Sequence, residues 1–537
     1  MNQKKWYKMI DWLILLGIML VVIVFILIPF LFVFKEAFMV DGQISLANFT
    51  EIFIRQKHLL KNSLVMATIT TLLTSIVSLA VALFYFITGK WTRRIIIIIL
   101  SITMISPPFV TSLSYIMLFG RRGLITHDLL GLRIFPYGMW GIILMQTLGG
   151  FPLKSLVLIS YLQSIDASII NSARSLGAKT SQIIKDIIIP QVRPGINIVL
   201  LLSFLGSLSD FGTPTIIGGA YEVLATEAYL AVIAKGNLPK AAAINILILL
   251  PAFIAFILYL KTFKDGVNIS KGTSLYQVKM QAKGWFYRSI QFISTFFLSW
   301  VSLQYLAIIL TAFTKKYRGQ YSFTLEHVIK TLPYFNQVVP RTILFALLAA
   351  LIGGVLGLLI GYYLKIRKIP LMKTIDFAAT LPYVIPGTFF GLGYILAFKG
   401  FPFYLTGTST IIVLNLIFKQ MPFSTKVGSA AMEEISPDML NAVTDLGGSR
   451  LDEIRDIIFP VSLNALTVSF ANSFTESMTT IGSIIFLVTP SSKLLTLVLF
   501  ELVSGSKYDI AAVLALLIMV ICLAVNLIFL SISKWRK

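Results

Sequence analysis

The sequence predicts an all-α membrane protein of about twelve transmembrane helices, arranged as two parallel six-helix repeats. Three observations carry that prediction. First, 57% of the 537 residues are apolar and only 13% are charged, with a mean hydropathy of +0.87. A soluble domain carries about 25% charged residues, so this chain cannot cover its surface with polar groups and must have lipid as its solvent. Second, apolar runs long enough to cross a bilayer, about 20 residues each, recur along the chain. Third, a polar stretch occurs twice: "NSARSLGAKTSQIIKDIIIP" from Asn171 to Pro190 and "NAVTDLGGSRLDEIRDIIFP" from Asn441 to Pro460, 270 residues apart and identical at 8 of 20 positions.

The first set of expected spans is 12–34, 63–87, 95–118, 138–161, 195–217 and 241–261. The second is 290–313, 342–364, 374–398, 407–428, 462–488 and 511–532. Pro, Gly and polar residues interrupt several of them, which is tolerated where neighbouring helices satisfy the freed backbone groups. The repeat extends beyond the quoted stretches. "SPPFVTSLSYIMLFG" (Ser106–Gly120) aligns with "IPGTFFGLGYILAFKG" (Ile385–Gly400), and "SFLGSLSDFGTP" (Ser203–Pro214) aligns with "SFANSFTESMTT" (Ser469–Thr480), matching Asp210 with Glu476. An even number of spans per unit makes the two units parallel, related by an axis along the membrane normal. Residues 1–265 form the first unit, 266–289 a basic cytoplasmic linker and 290–537 the second unit.

The net charge of +22 reads as membrane topology rather than nucleic-acid binding. Lys and Arg beside span ends mark the cytoplasmic side. Lys4, Lys5 and Lys8, then Lys90, Arg93 and Arg94, then the run Lys261, Lys264, Lys271, Lys279 and Lys283 all fall on one side. Lys365, Arg367, Lys368 and Lys373 agree, as do Lys534, Arg536 and Lys537. Both termini and both copies of the repeated stretch are then cytoplasmic. The first apolar run is too long for a signal-peptide core and reads as a retained anchor. The single cysteine, Cys522, allows no disulfide within the chain and no cysteine-based metal site.

Each repeated stretch, about 164–190 and about 434–460, reads as helix, tight turn, helix. Ile165, Ile169, Ile170, Ala173 and Leu176 recur at helical spacing, Gly177 follows, and Ile183, Ile184, Ile187 and Ile188 form a second stripe that Pro190 is expected to stop. In the second copy Ser436-Pro437 starts the helix, Gly447 makes the turn and Pro460 ends the unit. Glycine takes a positive φ at a helix end without steric cost. Helices this short and polar cannot span, and two symmetry-related copies on one face imply a two-fold partner. The alternative is a pair of ordinary membrane-surface helices surviving from gene duplication.

These residues resemble the "EAA" loop of ABC-transporter permeases, in which Glu-Ala-Ala is followed after three residues by Gly and about a dozen residues later by an apolar residue and Pro. Nearly the whole chain is similar to two fused permease units of the type I importer fold. The resemblance implies that each loop is a coupling helix seated in a groove of an ATPase subunit, with Gly177 and Gly447 as the turns and Ala173, Leu176 and Leu446 packing the docking surface. The family's glutamate is Asn171 in one copy and Asn441 in the other, so an ion pair at that position gives way to a neutral hydrogen bond, weaker by roughly half. The implied partners are two copies of a cytoplasmic ABC ATPase, an extracytoplasmic substrate-binding protein and the bilayer, in a bacterial inner membrane. No G-x-x-x-x-G-K-[ST] phosphate loop, hydrolase triad, metal spacing or dinucleotide fingerprint is present. The chain is therefore expected to be a transport subunit rather than an enzyme and to bind no cofactor, with ATP and magnesium on the partner ATPase.

Acidic residues within spans are functional hypotheses by default. Asp210 and Glu476 hold equivalent positions among hydroxyls, including Ser209, Thr475 and Thr479. They either line a translocation pathway or cap broken helices. His58, His127 and His327 fall in expected outer loops, where surface solvation or docking fits better than metal capture. "SDFGTPTIIGGAYEVLATEAYL" (Ser209–Leu230) and "ESMTTIGSIIFL" (Glu476–Leu487) resemble the ferric-iron uptake group of these permeases, whose relatives carry thiamine, phosphonates or polyamines. A secondary transporter with two six-span halves is the alternative of another class. It would need an ion-coupling site and no repeated helix–Gly–helix loop.

Overall fold

The computed structural model describes residues 3–40, 42–132, 136–263, 284–317, 320–400 and 402–535. The expected linker at 266–289 falls almost wholly outside the described residues, as do Lys264, Lys271, Lys279, Lys283, Arg536 and Lys537. Helices dominate. In the first unit α1 (Met9–Ala37) leads into a two-stranded hairpin, β1 (Met39–Val40) with β2 (Gln43–Ile44), and then a short helix, α2 (Ala47–Arg55). There follow α3 (Lys57–Ile87), α4 (Lys90–Ile105), α5 (Val110–Phe119), α6 (Met139–Gln163), α7 (Ala167–Ser175), α8 (Thr180–Ser209), α9 (Gly212–Ile217), α10 (Leu224–Ile233) and α11 (Leu238–Leu258).

The second unit repeats this order. α12 (Trp285–Phe313) is followed by the hairpin β3 (Thr314–Tyr317) with β4 (Gln320–Phe323), α13 (Glu326–Ile329), α14 (Leu332–Ile366), α15 (Leu371–Val384), α16 (Gly387–Phe398) and α17 (Ser409–Glu433). Then come α18 (Pro437–Asp445), α19 (Arg450–Val461), α20 (Leu463–Thr479), α21 (Leu495–Ser504) and α22 (Tyr508–Phe529). The hairpin after the first span of each unit is a repeat that apolar periodicity alone does not reveal.

Among the described residues, eight helices are long and apolar enough to cross a membrane, and up to eleven if bent pairs count as single spans. The remaining expected span, the tenth at 407–428, corresponds to α17, which is 25 residues long but carries Lys419 and Lys426. Two expected spans, 95–118 and 374–398, are not straight. α4 meets α5 at 107° and α15 meets α16 at 117°. Pro107, Pro108 and Pro386 stand at these breaks and cannot donate the next helical hydrogen bond. The expected spans 195–217 and 462–488 end early as well, since α8 stops at Ser209 and α20 at Thr479.

Pro190 corrects another expectation. It does not stop a helix: Thr180–Ser209 runs through it. A wide helical turn over Ile183–Ile188 precedes it, with the Ile189 N–H reaching Ile184 O five residues back, and Pro190 sits near the start of the next regular stretch. That single-turn bulge relieves the ladder where the proline ring would clash. The second copy has the same wide turn at Glu453–Ile458, but the chain then bends by 69° after Val461.

The first span of each unit packs on the other unit. Phe25 of α1 stacks on Phe418 at 5.0 Å, and the Tyr394 hydroxyl donates to Phe25 O at 2.9 Å. Reciprocally, Trp300 and Phe297 of α12 meet Phe119 at 5.2 Å and Phe151 at 5.9 Å. A buried hydrogen bond from Thr388 to Asn245 (2.9 Å) joins α16 to α11 across the units. Equivalent hydroxyls also seat the short helices: Ser63 accepts the Leu224 N–H at 2.8 Å and Thr342 the Leu495 N–H at 3.0 Å.

Small residues let α14 and α17 approach closely, as membrane interfaces favour. A Cβ on Gly361 would stand 2.6 Å from the Gly428 carbonyl carbon. Because the obstruction is backbone, Gly361→Ala is expected to cost about 1–3 kcal/mol, read as a lower Tm in detergent. An unchanged Tm would contradict this close approach.

Candidate coupling loops and intramembrane carboxylates

The two repeated stretches form matching structures. In the first, the Asp166 carboxylate accepts the Ser168 N–H at 2.8 Å and starts α7. In the second, Ser436 Oγ accepts the Met439 N–H at 3.4 Å and starts α18. Each helix ends in a left-handed glycine, with φ of +83° at Gly177 and +78° at Gly447. The Ala178 N–H returns to Ala173 O at 3.0 Å and the Gly448 N–H to Val443 O at 2.8 Å. These are the closing bonds of a Schellman turn, which satisfies carbonyls that a helix end leaves orphaned.

The turn presents one large apolar side chain per copy. Leu176 and Leu446 are each 88% exposed. The opposite side is anchored: Ile170, Ile183, Ile184 and Ile188 are buried in the first copy and Ile435 and Ile458 in the second. Asn171 and Asn441 are exposed, whereas Ala173 is half-buried against its own bundle, so only part of it remains for a partner. Pro190 and Pro460 are exposed at the root of the loops.

One anchor differs between the copies and was not singled out by sequence reasoning. Glu453, at the position of Ile183, is buried and accepts the Tyr362 hydroxyl at 3.0 Å and the Arg450 guanidinium at 3.0 Å. A carboxylate in an otherwise apolar register was the available signal.

The two intramembrane carboxylates have unlike surroundings. Asp210 caps a broken helix: Oδ1 accepts the Thr213 N–H at 3.1 Å and Oδ2 accepts Gln146 Nε2 at 3.0 Å. Gln146 Oε1 in turn accepts Ser207 Oγ at 2.6 Å. Glu476, in the last turn of α20, is exposed although Thr475 and Ser477 beside it are buried. Its carboxylate makes no hydrogen bond or ion pair among the described residues. It lies in the electrostatic field of Tyr383, Lys419 and Cys522, from α15, α17 and α22. Thr475 and Thr479 do not join it. Their hydroxyls donate to Ala471 O and Thr475 O at 2.9 Å, and Thr475 also accepts from Asn526 at 2.8 Å. Ser209 is half-buried at the end of α8.

The histidines each face a carboxylate: His58 with Glu222 (3.3 Å), His127 with Asp128 (2.8 Å) and His327 with Asp509 (3.4 Å). Surface solvation fails for His327, which is buried with Nδ1 3.2 Å from two backbone carbonyls. No group of three or more His, Cys, Asp or Glu suited to a metal ion occurs among the described residues. At the hairpin face Lys315 and Lys330 hold the Glu326 carboxyl down at about 2, and burial with the Asp128 charge pushes the Tyr321 hydroxyl up to about 12.

Comparison with known proteins is consistent with this arrangement. The profile described as "Binding-protein-dependent transport system inner membrane component" matches twice, at residues 74–261 and 353–537. The chain is 28% identical over 535 residues to the ferric transport system permease protein FbpB of Actinobacillus pleuropneumoniae, covering 96% of this chain and 77% of that protein. It is 27% identical over 191 residues to the sulfate transport system permease protein CysT of Salmonella typhimurium, covering 33% and 69%. It is 25% identical over 254 residues to the putative 2-aminoethylphosphonate transport system permease protein PhnV of Salmonella choleraesuis, covering 46% and 92%.

Proposed function

The chain belongs to the family of binding-protein-dependent transport system inner membrane components, and on that premise we propose that it is the two-unit permease of an ATP-driven importer for ferric iron. The observation that carries the coupling half of this reading is the pair of glycine-turned loops, each holding an exposed leucine at the same point. Leu176 and Leu446 each fill the groove of one copy of a cytoplasmic ABC ATPase, and Asn171 and Asn441 add neutral hydrogen bonds. ATP and magnesium act on that partner, and this chain needs no cofactor of its own. The loops and both termini face the cytoplasm, in keeping with the Lys and Arg beside span ends. An extracytoplasmic binding protein delivers substrate to the hairpin face.

Ferric iron is favoured because similarity to the ferric permease runs through 96% of this chain, both units included. Within the path, Glu476 is the carboxylate open to a cation, and Asp210 with Ser209 shapes the break that ends α8. Metal ions bind carboxylate oxygen readily, and intramembrane acids mark ion paths.

The test is uptake by proteoliposomes holding this chain, its ATPase and its binding protein. Ferric iron is compared with sulfate, aminoethylphosphonate, thiamine and polyamine. ATP-dependent accumulation of iron alone is expected. ATP-dependent uptake of an anion or an organic ligand would overturn the iron reading and keep the permease. Uptake driven by an ion gradient without ATP would overturn both.

A further inference from the structure

Lys419 sits where a charge is expensive. It lies ten residues into α17 from Ser409, about 15 Å along the helix axis, which is near the middle of a hydrocarbon layer about 30 Å thick. Its ammonium donates to Pro382 O at 2.7 Å and Ile385 O at 3.0 Å, at the break between α15 and α16. Pro386 explains why one oxygen is free: with no N–H, it cannot bond Pro382 O four residues back. The Phe390 ring lies 5.8 Å from the ammonium. Two carbonyl oxygens at a helix C-terminus, an aromatic face and the field of Glu476 together form the surroundings of a cation site.

A neutral donor would suffice to cap that break. In the first unit Gly149 stands at the position of Lys419, so no charge is placed there. The lysine of the matching first-unit helix, Lys154, lies five residues beyond that position, whereas the second unit places its full charge at the break itself, without contact to its counter-ion. Glu476 and Lys419 come no closer than 4.0 Å, and Glu476 stays exposed and unbonded beside Tyr383, itself 52% exposed.

We propose that the Lys419 ammonium is a tethered counter-cation of the transport path: it occupies the oxygen site at the α15–α16 break, and a cationic substrate engages Glu476 only as that ammonium is displaced. This rests on the reading of Glu476 as a pathway residue. In the resting state the ammonium balances Glu476 and repels free cations. When the units move apart, the lysine leaves the carbonyls and a cation takes over its charge balance. Lys419 is thus a positioning residue that keeps the path closed to uncoordinated metal.

The experiment needs no ATP, binding protein or iron complex, so its outcome is separate from that of the uptake test. Proteoliposomes of the full chain with its ATPase are loaded with a metal-quenched dye and exposed to Mn²⁺, and labelled sulfate flux is followed in parallel. Wild type and Lys419→Arg are expected to be tight. Lys419→Gln, whose amide can still cap the break, should raise Mn²⁺ entry about tenfold, the effect of a modest fall in the barrier. Adding Glu476→Gln should return entry to baseline, with sulfate flux unchanged throughout. A tight Lys419→Gln, a leak insensitive to Glu476→Gln, or a leak of sulfate instead would overturn the proposal. Should Lys419→Gln fail to assemble, acylation of Lys419 in the wild type by a small water-soluble reagent decides. Mn²⁺ should increase labelling and should not do so in Glu476→Gln, and no change in the wild type overturns the proposal.

Discussion

Replacing both Gly177 and Gly447 with valine is expected to abolish ATP-driven uptake while leaving the chain inserted and folded. Both glycines have φ near +80°, a region that a β-branched residue reaches only under strain. An added Cβ at either position meets nothing within 4 Å, so no neighbour is pushed and the whole cost lies in the local backbone. That cost is about 1–3 kcal/mol per turn. It is larger than the turn can absorb without rearrangement, because the Schellman bonds of Ala178 and Gly448 are the last fastenings of α7 and α18. The cheapest relief is to unwind the turn, which moves Leu176 and Leu446 away from their matched positions. Asparagine tolerates the left-handed region better, so Gly177→Asn with Gly447→Asn should retain much of the uptake. The readouts are ATPase co-purification and substrate-stimulated ATP hydrolysis, with Tm as the control for folding. Normal coupling in the valine pair would remove these turns from the coupling role.

Those turns were legible in the sequence because their physics is local. A helical apolar stripe, a glycine and a capping residue lie within a dozen positions, and the second copy states them again. The span breaks were less legible. Hydropathy averages across Pro107-Pro108 and Pro386 without registering that a proline in an apolar run bends the chain by more than 100° once other helices cover the freed carbonyls. Pro190 misled in the opposite direction, since the wide turn before it lets the helix continue. The exchange of first spans between units was out of reach. It depends on pairs such as Phe25–Phe418 and Phe151–Phe297, far apart in the sequence and indistinguishable from any other aromatic pair by periodicity. At the carboxylates, the repeat suggested that Asp210 and Glu476 are equivalent, but the helices correspond at a spacing of 270 residues: α8 ends at Ser209 and α20 at Thr479, so Asp210 stands just past its helix while Glu476 lies inside the last turn of its own. Their partners differ as well, Gln146 for one and the unpaired approach of Lys419 for the other, and neither partner is conserved between the two units of this chain.

Arg367→Ala is expected to destabilise the protein by about 3–5 kcal/mol, the cost of leaving a buried charge without its partner. Asp11, on α1, is buried, and its carboxylate accepts Arg367 Nη1 at 2.7 Å and the Tyr363 hydroxyl at 2.9 Å. The Tyr363 hydroxyl also lies 3.1 Å from Asp11 O. The pair joins the first span of one unit to the second span of the other, on the face that carries the loops. In the first unit Arg93 of α4 donates to the end of the preceding helix α3, to Tyr85 O at 2.9 Å and Phe86 O at 2.6 Å. α1 is thus locked to α14 by charge, and α12 rests on α3 and α5 with aromatic packing such as Phe119–Trp300. Removing both charges with Asp11→Asn and Arg367→Gln tests whether the loss is that of an orphaned charge. The double variant keeps hydrogen bonding without a buried ion and should recover most of the Tm lost by Arg367→Ala. If the double variant is as unstable as the single, the pair contributes through packing of the Arg367 stem rather than through its charge. If Arg367→Ala leaves Tm unchanged, the tie does not hold the units together at all.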